Sequence, residues 1–232
     1  MGFGISDDVK MVVKSLKANN FDSTQFVDEA DTATELVLNM IPIKATVGIP
    51  GSTSVRQMGL VTHLRRRGTK VIDLDESGEL PLDELMRQTL VSDILLTSSN
   101  AVTLDGKLVN IDGHGNRVAA MSFGPKKVIL VIGVNKIVRD VDEAIYRIKN
   151  VIAPYHAMTR GYKAPCAVDL RCTDCKSPER ICRVTTVIEK KPLSTNIVVI
   201  LVGEDLGLGW NPDWSKDRRE KIASAYQQAR KG

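Results

Sequence analysis

Residues 45–74 read ATVGIPGSTSVRQMGLVTHLRRRGTKVIDL. Ala45 to Ile49 is a short apolar run of strand length. It enters a turn built from Pro50, Gly51, Ser52, Thr53 and Ser54, and a helical pattern follows from Val55 to Arg67. Gly68 closes that helix in the way glycine usually ends one, and Lys70 to Leu74 is the next strand. Strand, helix and strand in about thirty residues form a βαβ unit, and such units build parallel sheets.

The pattern repeats outward from this unit. Leu82 to Leu90 is a helix opened by Pro81, and Ile94 to Thr97 is a strand. Lys127 to Ile132 reads as a central buried strand and Val141 to Ile152 as a helix. Upstream, Val9, Val12, Val13 and Leu16 recur at helical spacing within residues 5–19, after Ser6, Asp7 and Asp8. A second helix spans Glu29 to Met40 and stops before Pro42. Ala101 to Leu104 and Leu108 to Ile111 flank Asp105-Gly106, a strong hairpin signal. Thr185 to Ile188 and Ile197 to Val202 are strands, and Trp210 to Ala229 is a polar, helix-prone tail. The basic residues of that tail read as a solvated face, with a docking arm for a partner as the alternative. The expected fold class is α/β, a mostly parallel sheet with helices on both faces. Residues 1–232 read as one domain with a cysteine-rich loop at about 160–184.

Composition narrows the function. The chain has 232 residues, 43% of them hydrophobic and 26% charged, which suits a globular domain and excludes a disordered one. No apolar run approaches the roughly 18 residues of a membrane span. The opening MGFGISDDVK lacks a basic region followed by an apolar stretch, so the expected location is the cytoplasm. A net charge of +4 with only 4% aromatic residues argues against nucleic acid as a partner.

Three segments carry candidate chemistry. In Gly51, Ser52, Thr53 and Ser54 a turn leads from a strand into a helix, an arrangement suited to binding a phosphate or carboxylate. It is not a Walker loop, because Gly-Lys-Ser/Thr is absent. A capped helix with no ligand is the alternative. Asn100, Asp105, Asp112, His114, Asn116 and Arg117 form a second, polar cluster. Gly113 and Gly115 flank His114, which could move a proton or bind a metal. An ordinary turn explains the Asp and Gly residues equally well.

The third segment holds all four cysteines, Cys166, Cys172, Cys175 and Cys182, spaced C-x5-C-x2-C-x6-C. Four thiolates suit a [4Fe–4S] cluster or a tetrahedral zinc. A single C-x2-C pair favours the cluster over a zinc ribbon. A redox disulfide or plain thiols are the remaining readings. Arg171, Lys176, Arg180 and Arg183 would offset the charge of bound thiolates and lower the thiol pKa values.

Residues 92–113, 115–120 and 124–138, with the Gly51–Ser54 turn and the stretch from Val202 to Gly207, together resemble the lactate-utilization (LUD) domain family. The resemblance covers roughly residues 5 to 210. The segment from Asp174 to Cys182 resembles a subgroup that carries these cysteines. The resemblance implies a NagB/RpiA/CoA-transferase-like fold, with the Gly51–Ser54 turn and the Asn100–Arg117 region converging on one cleft. It also implies a role in an iron–sulfur system that oxidises lactate to pyruvate.

The leading expectation is therefore an iron–sulfur protein acting in oxidation of a small hydroxy acid. Gly51, Ser52, Thr53, Ser54, Asn100, Asp112 and Asn116 would bind the anionic metabolite. Arg117 would hold its carboxylate and His114 would move a proton. Cys166, Cys172, Cys175 and Cys182 would hold the cluster and pass electrons to a redox protein partner. A homodimer is expected. One alternative is a non-catalytic sensing or assembly module with a structural metal. Another is a transferase or isomerase acting on a CoA-linked or phosphorylated compound. No glutamate can be assigned as a CoA-transferase nucleophile.

Overall fold

Two strands show how the layers are built. In Lys127–Gly133, residues Val128, Leu130 and Ile132 face one hydrophobic core, and Ile129 and Val131 face another. In Asn196–Val202, residues Ile197, Val199 and Leu201 join the first core, and Val198, Ile200 and Val202 join the second. Side chains alternate across a strand. A strand apolar at every position must therefore be covered on both sides, as in a parallel sheet.

The computed structural model describes residues 6–75 and 80–230. In chain order the elements are α1 (Asp7–Ala18), β1 (Thr24–Val27), α2 (Ala30–Met40), β2 (Thr46–Ile49), α3 (Thr53–Gln57), α4 (Leu60–Arg66) and β3 (Lys70–Asp73). Then come α5 (Leu82–Leu90), β4 (Ile94–Thr97), β5 (Ala101–Thr103), β6 (Leu108–Asp112), α6 (Asn116–Ser122), β7 (Lys127–Gly133) and β8 (Ile137–Val138). The chain continues with α7 (Val141–Arg147), α8 (Ala153–Arg160), α9 (Cys166–Asp169), β9 (Val184–Ile188), β10 (Asn196–Val202) and α10 (Lys216–Ala229).

The central sheet has six parallel strands in the order β1-β10-β7-β4-β2-β3. On one face α2, α3 and α4 bury Ala33, Val37, Val55, Leu60 and Leu64. On the other face α1 and α6 bury Val9, Val12, Leu16, Ala120 and Met121. A smaller sheet, β8-β5-β6-β9, packs on this second face through Val102 and Leu108. Its opposite side packs on α7 and the turn that follows it, through Ala101, Val109, Ala144 and Ile148. The expected α/β class, with helices on both faces, is the observed one. No helix among the described residues is long and apolar enough to cross a membrane.

Several local expectations change. The first helix begins at Asp7, with Ser6 Oγ accepting from the backbone N–H of Val9; residue 5, where it was expected to begin, lies outside the described residues, as does Lys231. The helix expected over Val55–Arg67 is two helices, because Gly59 adopts a left-handed conformation (φ 65°) that an α-helix cannot continue through. The Asp105-Gly106 hairpin forms, but in the smaller sheet. The helix expected to end at Ile152 passes through a π turn at Ile148–Ile152 and runs on as α8. Pro154 has no N–H to give to residue 150, so the wide turn sits where an α-helical hydrogen bond cannot form.

Candidate functional site

The carboxyl ends of the parallel strands open into one cavity of about 760 Å³. Such ends are where open α/β sheets place their ligands. Beyond β2 come Gly51, Ser52, Thr53 and Ser54; beyond β4, Ser98 and Asn100; beyond β7, Lys136. Asp75 follows β3 and Gly207 follows β10. The far wall is formed by His156 and Arg160 of α8, by residues 178–183, and by Tyr226 of α10.

The Gly51–Ser54 turn and the Asn100–Arg117 region therefore share one cleft. Gly51, Ser52, Thr53, Ser54, Asn100, Asp112, His114, Asn116 and Arg117 all line it. Asp105 does not: it sits in the hairpin turn, paired with Lys107 at 2.9 Å. His114 is exposed. Cys182 lines the cavity, so the cysteine segment forms part of its wall, while Cys166, Cys172 and Cys175 stand outside the lining.

Arg117 has a role the sequence did not reveal. Its Nη1 donates to Asn110 Oδ1 (2.5 Å), and its Nη2 donates to Asn100 Oδ1 (3.1 Å) and the Ile111 carbonyl (3.0 Å). Its Nε lies 3.4 Å from Asp112 Oδ1. The guanidinium fork is thus engaged by protein acceptors, and Arg117 braces the cleft wall instead of standing open to a carboxylate. Asp112 is part of the same brace. Its Oδ2 accepts from the backbone N–H groups of Arg117 (3.1 Å) and Val118 (3.2 Å), capping α6. Asn110, fully buried, is the hub of the arrangement.

Lys136 is the other group that motif reading passes over. Its Nζ lies 2.8 Å from Ser54 Oγ and 2.7 Å from Ser98 Oγ. Burial, with the like charge of Arg117 added, lowers its pKa to about 7. The three residues are 38 and 82 positions apart in the chain, so only the fold brings them together.

In the cleft wall, Asp75 is shared by Arg56, Arg160 and Arg230. Burial would raise its pKa, but the combined arginines outweigh burial and hold it below the usual carboxylate value. Next to this group His156 Nδ1 meets the Tyr226 hydroxyl. Burial first, then the charges of Arg160 and Arg230, lowers the His156 pKa to about 4, against the opposing pull of Asp75. His156 is neutral in the folded chain at pH values where an unfolded histidine takes a proton. Stability from this group is fully present above about pH 6.5 and is lost as pH falls toward 4. Between pH 7.5 and pH 5 it should remove about 2 kcal/mol. Denaturant unfolding at the two pH values, in the native chain and in His156→Gln, measures this; the variant should lose correspondingly less.

The four cysteines are free thiols, each half-buried. They lie close enough to act on one another. Burial, then Cys175 and Cys172, raises the Cys166 pKa. Burial, then Cys166 and Cys172, pushes Cys182 up to about 11. The neighbouring basic residues do not win here: Arg180 and Lys149 oppose the rise at Cys182 without reversing it. Arg180 instead shapes the segment. It donates to the carbonyls of Cys175 (2.7 Å) and Cys182 (2.8 Å) and pairs with Asp174. Asp174, in a left-handed conformation (φ 46°), directs its N–H at the Cys172 sulfur, 3.5 Å away. The donor set thus fits a thiolate-ligated group in type and number. Its geometry is open: among the described residues no three His, Cys, Asp or Glu side chains are arranged to hold a metal ion.

Residues 9–202 match the family model of the LUD domain. No curated protein matches the chain. Among solved structures, a DUF162 family protein from Deinococcus radiodurans is similar at 14% identity and a TM-score of 0.49, with 85% of this chain and 99% of that chain covered. Tyr226 and Arg230, which reach the site from α10 and its end, lie beyond the matched residues. With its match running from α1 through β10, the chain belongs to the LUD domain family.

Proposed function

We propose that the chain acts in lactate-utilization-type metabolism, binding a small hydroxy acid such as lactate in the strand-end cleft for its oxidation. The observation that carries this reading is that Cys182 and the Ser52–Ser54, Lys136 and Arg117 group line one cavity. A redox group on the cysteine segment would then sit beside the bound acid.

In this reading Ser52, Thr53 and Ser54 donate to the carboxylate, and Lys136, where protonated, supplies the charge. Arg117 adds positive field from the wall without giving up its brace. Neutral His156, which lines the same cavity and is steadied by Tyr226, would accept or return the hydroxyl proton. Cys166, Cys172, Cys175 and Cys182 would hold a [4Fe–4S] cluster. Such a cluster supplies one-electron transfer to a protein partner.

A second reading is supported by size. A cavity of about 760 Å³ is far larger than a three-carbon acid and is within the range that encloses drug-sized ligands. A transferase or isomerase reaction on a CoA-linked or phosphorylated compound would use that volume.

Iron, sulfide and zinc analysis of protein purified without oxygen tests the first reading, alongside Cys172→Ser. The expected result is about four irons and four sulfides per chain, with broad visible absorption that the variant loses. One zinc and no colour would leave the cysteines a structural clip. No metal after anaerobic reconstitution would sink the cluster.

A further inference from the structure

Ser54, Ser98 and Lys136 come from the ends of three different strands and meet in the cavity wall. Lys136 is enclosed, and no described carboxylate is paired with it. The charge that reaches it, from Arg117, has its own sign. An amine in such a place is not a salt-bridge lysine, and its fixed partners are two hydroxyls.

The hydrogen bonds give the group a direction. Ser98 Oγ also donates to the Ser99 carbonyl at 3.3 Å, so its oxygen is left to accept from Lys136. Ser54 Oγ accepts from Lys136 Nζ at 2.8 Å. Once Nζ is neutral it carries a lone pair, and at the same 2.8 Å separation the Ser54 O–H can donate to it while Nζ still donates to Ser98. Gly207 packs closely over this corner, where Ser54 is 1% and Lys136 6% exposed, both still reaching the cavity lining. A β-carbon there would stand 2.7 Å from Ser54 Oγ and 3.2 Å from Lys136 Nζ, and its φ of +69° also favours glycine.

We infer that Ser54 is a nucleophile with Lys136 as its general base and Ser98 as a positioning residue, giving the cleft an acyl-transfer activity toward small esters or thioesters. Ser54 Oγ bonds to the acyl carbon as Lys136 Nζ takes its proton. The carbon–oxygen or carbon–sulfur bond then breaks, and the leaving group takes the proton from Lys136. Water, deprotonated by the same amine, attacks the acyl-Ser54 ester; the acyl carbon–Oγ bond breaks, Ser54 Oγ takes the proton back from Lys136 Nζ, and the carboxylic acid is released. No oxidant, metal or cluster enters these steps, so the inference stands apart from the redox reading. Burial keeps the amine able to accept a proton near neutral pH. The positive field of Arg117 also favours the oxyanion that forms.

The test is acetylation of the full chain by p-nitrophenyl acetate, quenched in acid and mapped by peptide mass spectrometry. The expected adduct is on Ser54. Its rate of formation should rise about tenfold per pH unit below pH 7 and level off above it. Lys136→Arg, which stays cationic, should slow labelling of Ser54 about a hundredfold. Ser98→Ala should keep the adduct on Ser54 while shifting the pH midpoint. Acetyl groups found only on thiols or other lysines would overturn the assignment. So would Ser54 labelling that Lys136→Arg leaves unchanged. The mapping and pH profile of the native chain need no variant to fold.

Discussion

Replacing Arg117 with methionine should destabilise the chain by about 4 kcal/mol, a loss read directly as a lower midpoint in denaturant. Methionine keeps much of the apolar stem but removes the whole fork. Asn110 Oδ1, Asn100 Oδ1 and the Ile111 carbonyl each lose a charged donor, and Asp112 loses its counter-ion. Arg117 and Asp112 are both largely enclosed, with side-chain exposures of 12% and 13%. Breaking one half of a buried pair leaves the other half uncompensated, which is why the loss exceeds that of a surface ion pair. Lysine should rescue only a minor part, since a point charge cannot bond to acceptors in several directions in one plane. If Arg117→Met unfolds at the native midpoint, the brace is not what holds the cleft wall.

The second large effect has the opposite sign. Lys136→Met should stabilise the chain, by about 2 kcal/mol at pH 7. An amine whose pKa falls from 10.5 to about 7 on folding carries a penalty of about 4 kcal/mol at neutral pH, from burying its charge or giving up its proton. Methionine removes that penalty but leaves the Ser54 and Ser98 hydroxyls without their amine, which returns part of the gain. The native chain should gain stability as pH rises from about 7 toward 10.5, because the unfolded lysine holds its proton there and the folded one does not. Lys136→Met should lack that slope. A destabilised Lys136→Met would mean the amine acts as an ordinary buried hydrogen-bond anchor. A group that lowers stability and lines a cavity is the pattern expected of a functional side chain.

The βαβ unit at 45–74 was legible because each local signal agreed: strand-length runs, a Gly-Ser-Thr turn and a helical period. The cleft was half legible. Residues of the Gly51–Ser54 turn and the Asn100–Arg117 region sit at strand ends, and strand order alone brings strand ends together. Lys136 was not legible. In Val134-Asn135-Lys136-Ile137 it looks like any lysine leaving a strand. It is buried by the 203–209 segment, which Asn135 holds through the Leu206 N–H and the Gly209 carbonyl. Arg117 was seen as a charge but not as a brace, because its chief acceptor, Asn110, reads as one more strand residue. β1 escaped notice since Thr24–Val27 is four residues long and only partly apolar; its place is the sheet edge beside β10. α10 was read as solvated, yet it buries Ile222 and Tyr226 and supplies part of the site.

The proposed function requires the cysteine segment and the strand-end cleft to form one site for a small hydroxy acid. The most direct measurement is the alkylation rate of each cysteine in the metal-free chain, followed by mass spectrometry, with and without L-lactate. Cys182 lines the cavity and the other three thiols do not. Lactate should therefore slow alkylation of Cys182 severalfold while leaving Cys172 unchanged. Equal rates at Cys182 with and without lactate, or protection spread evenly over all four thiols, would contradict it.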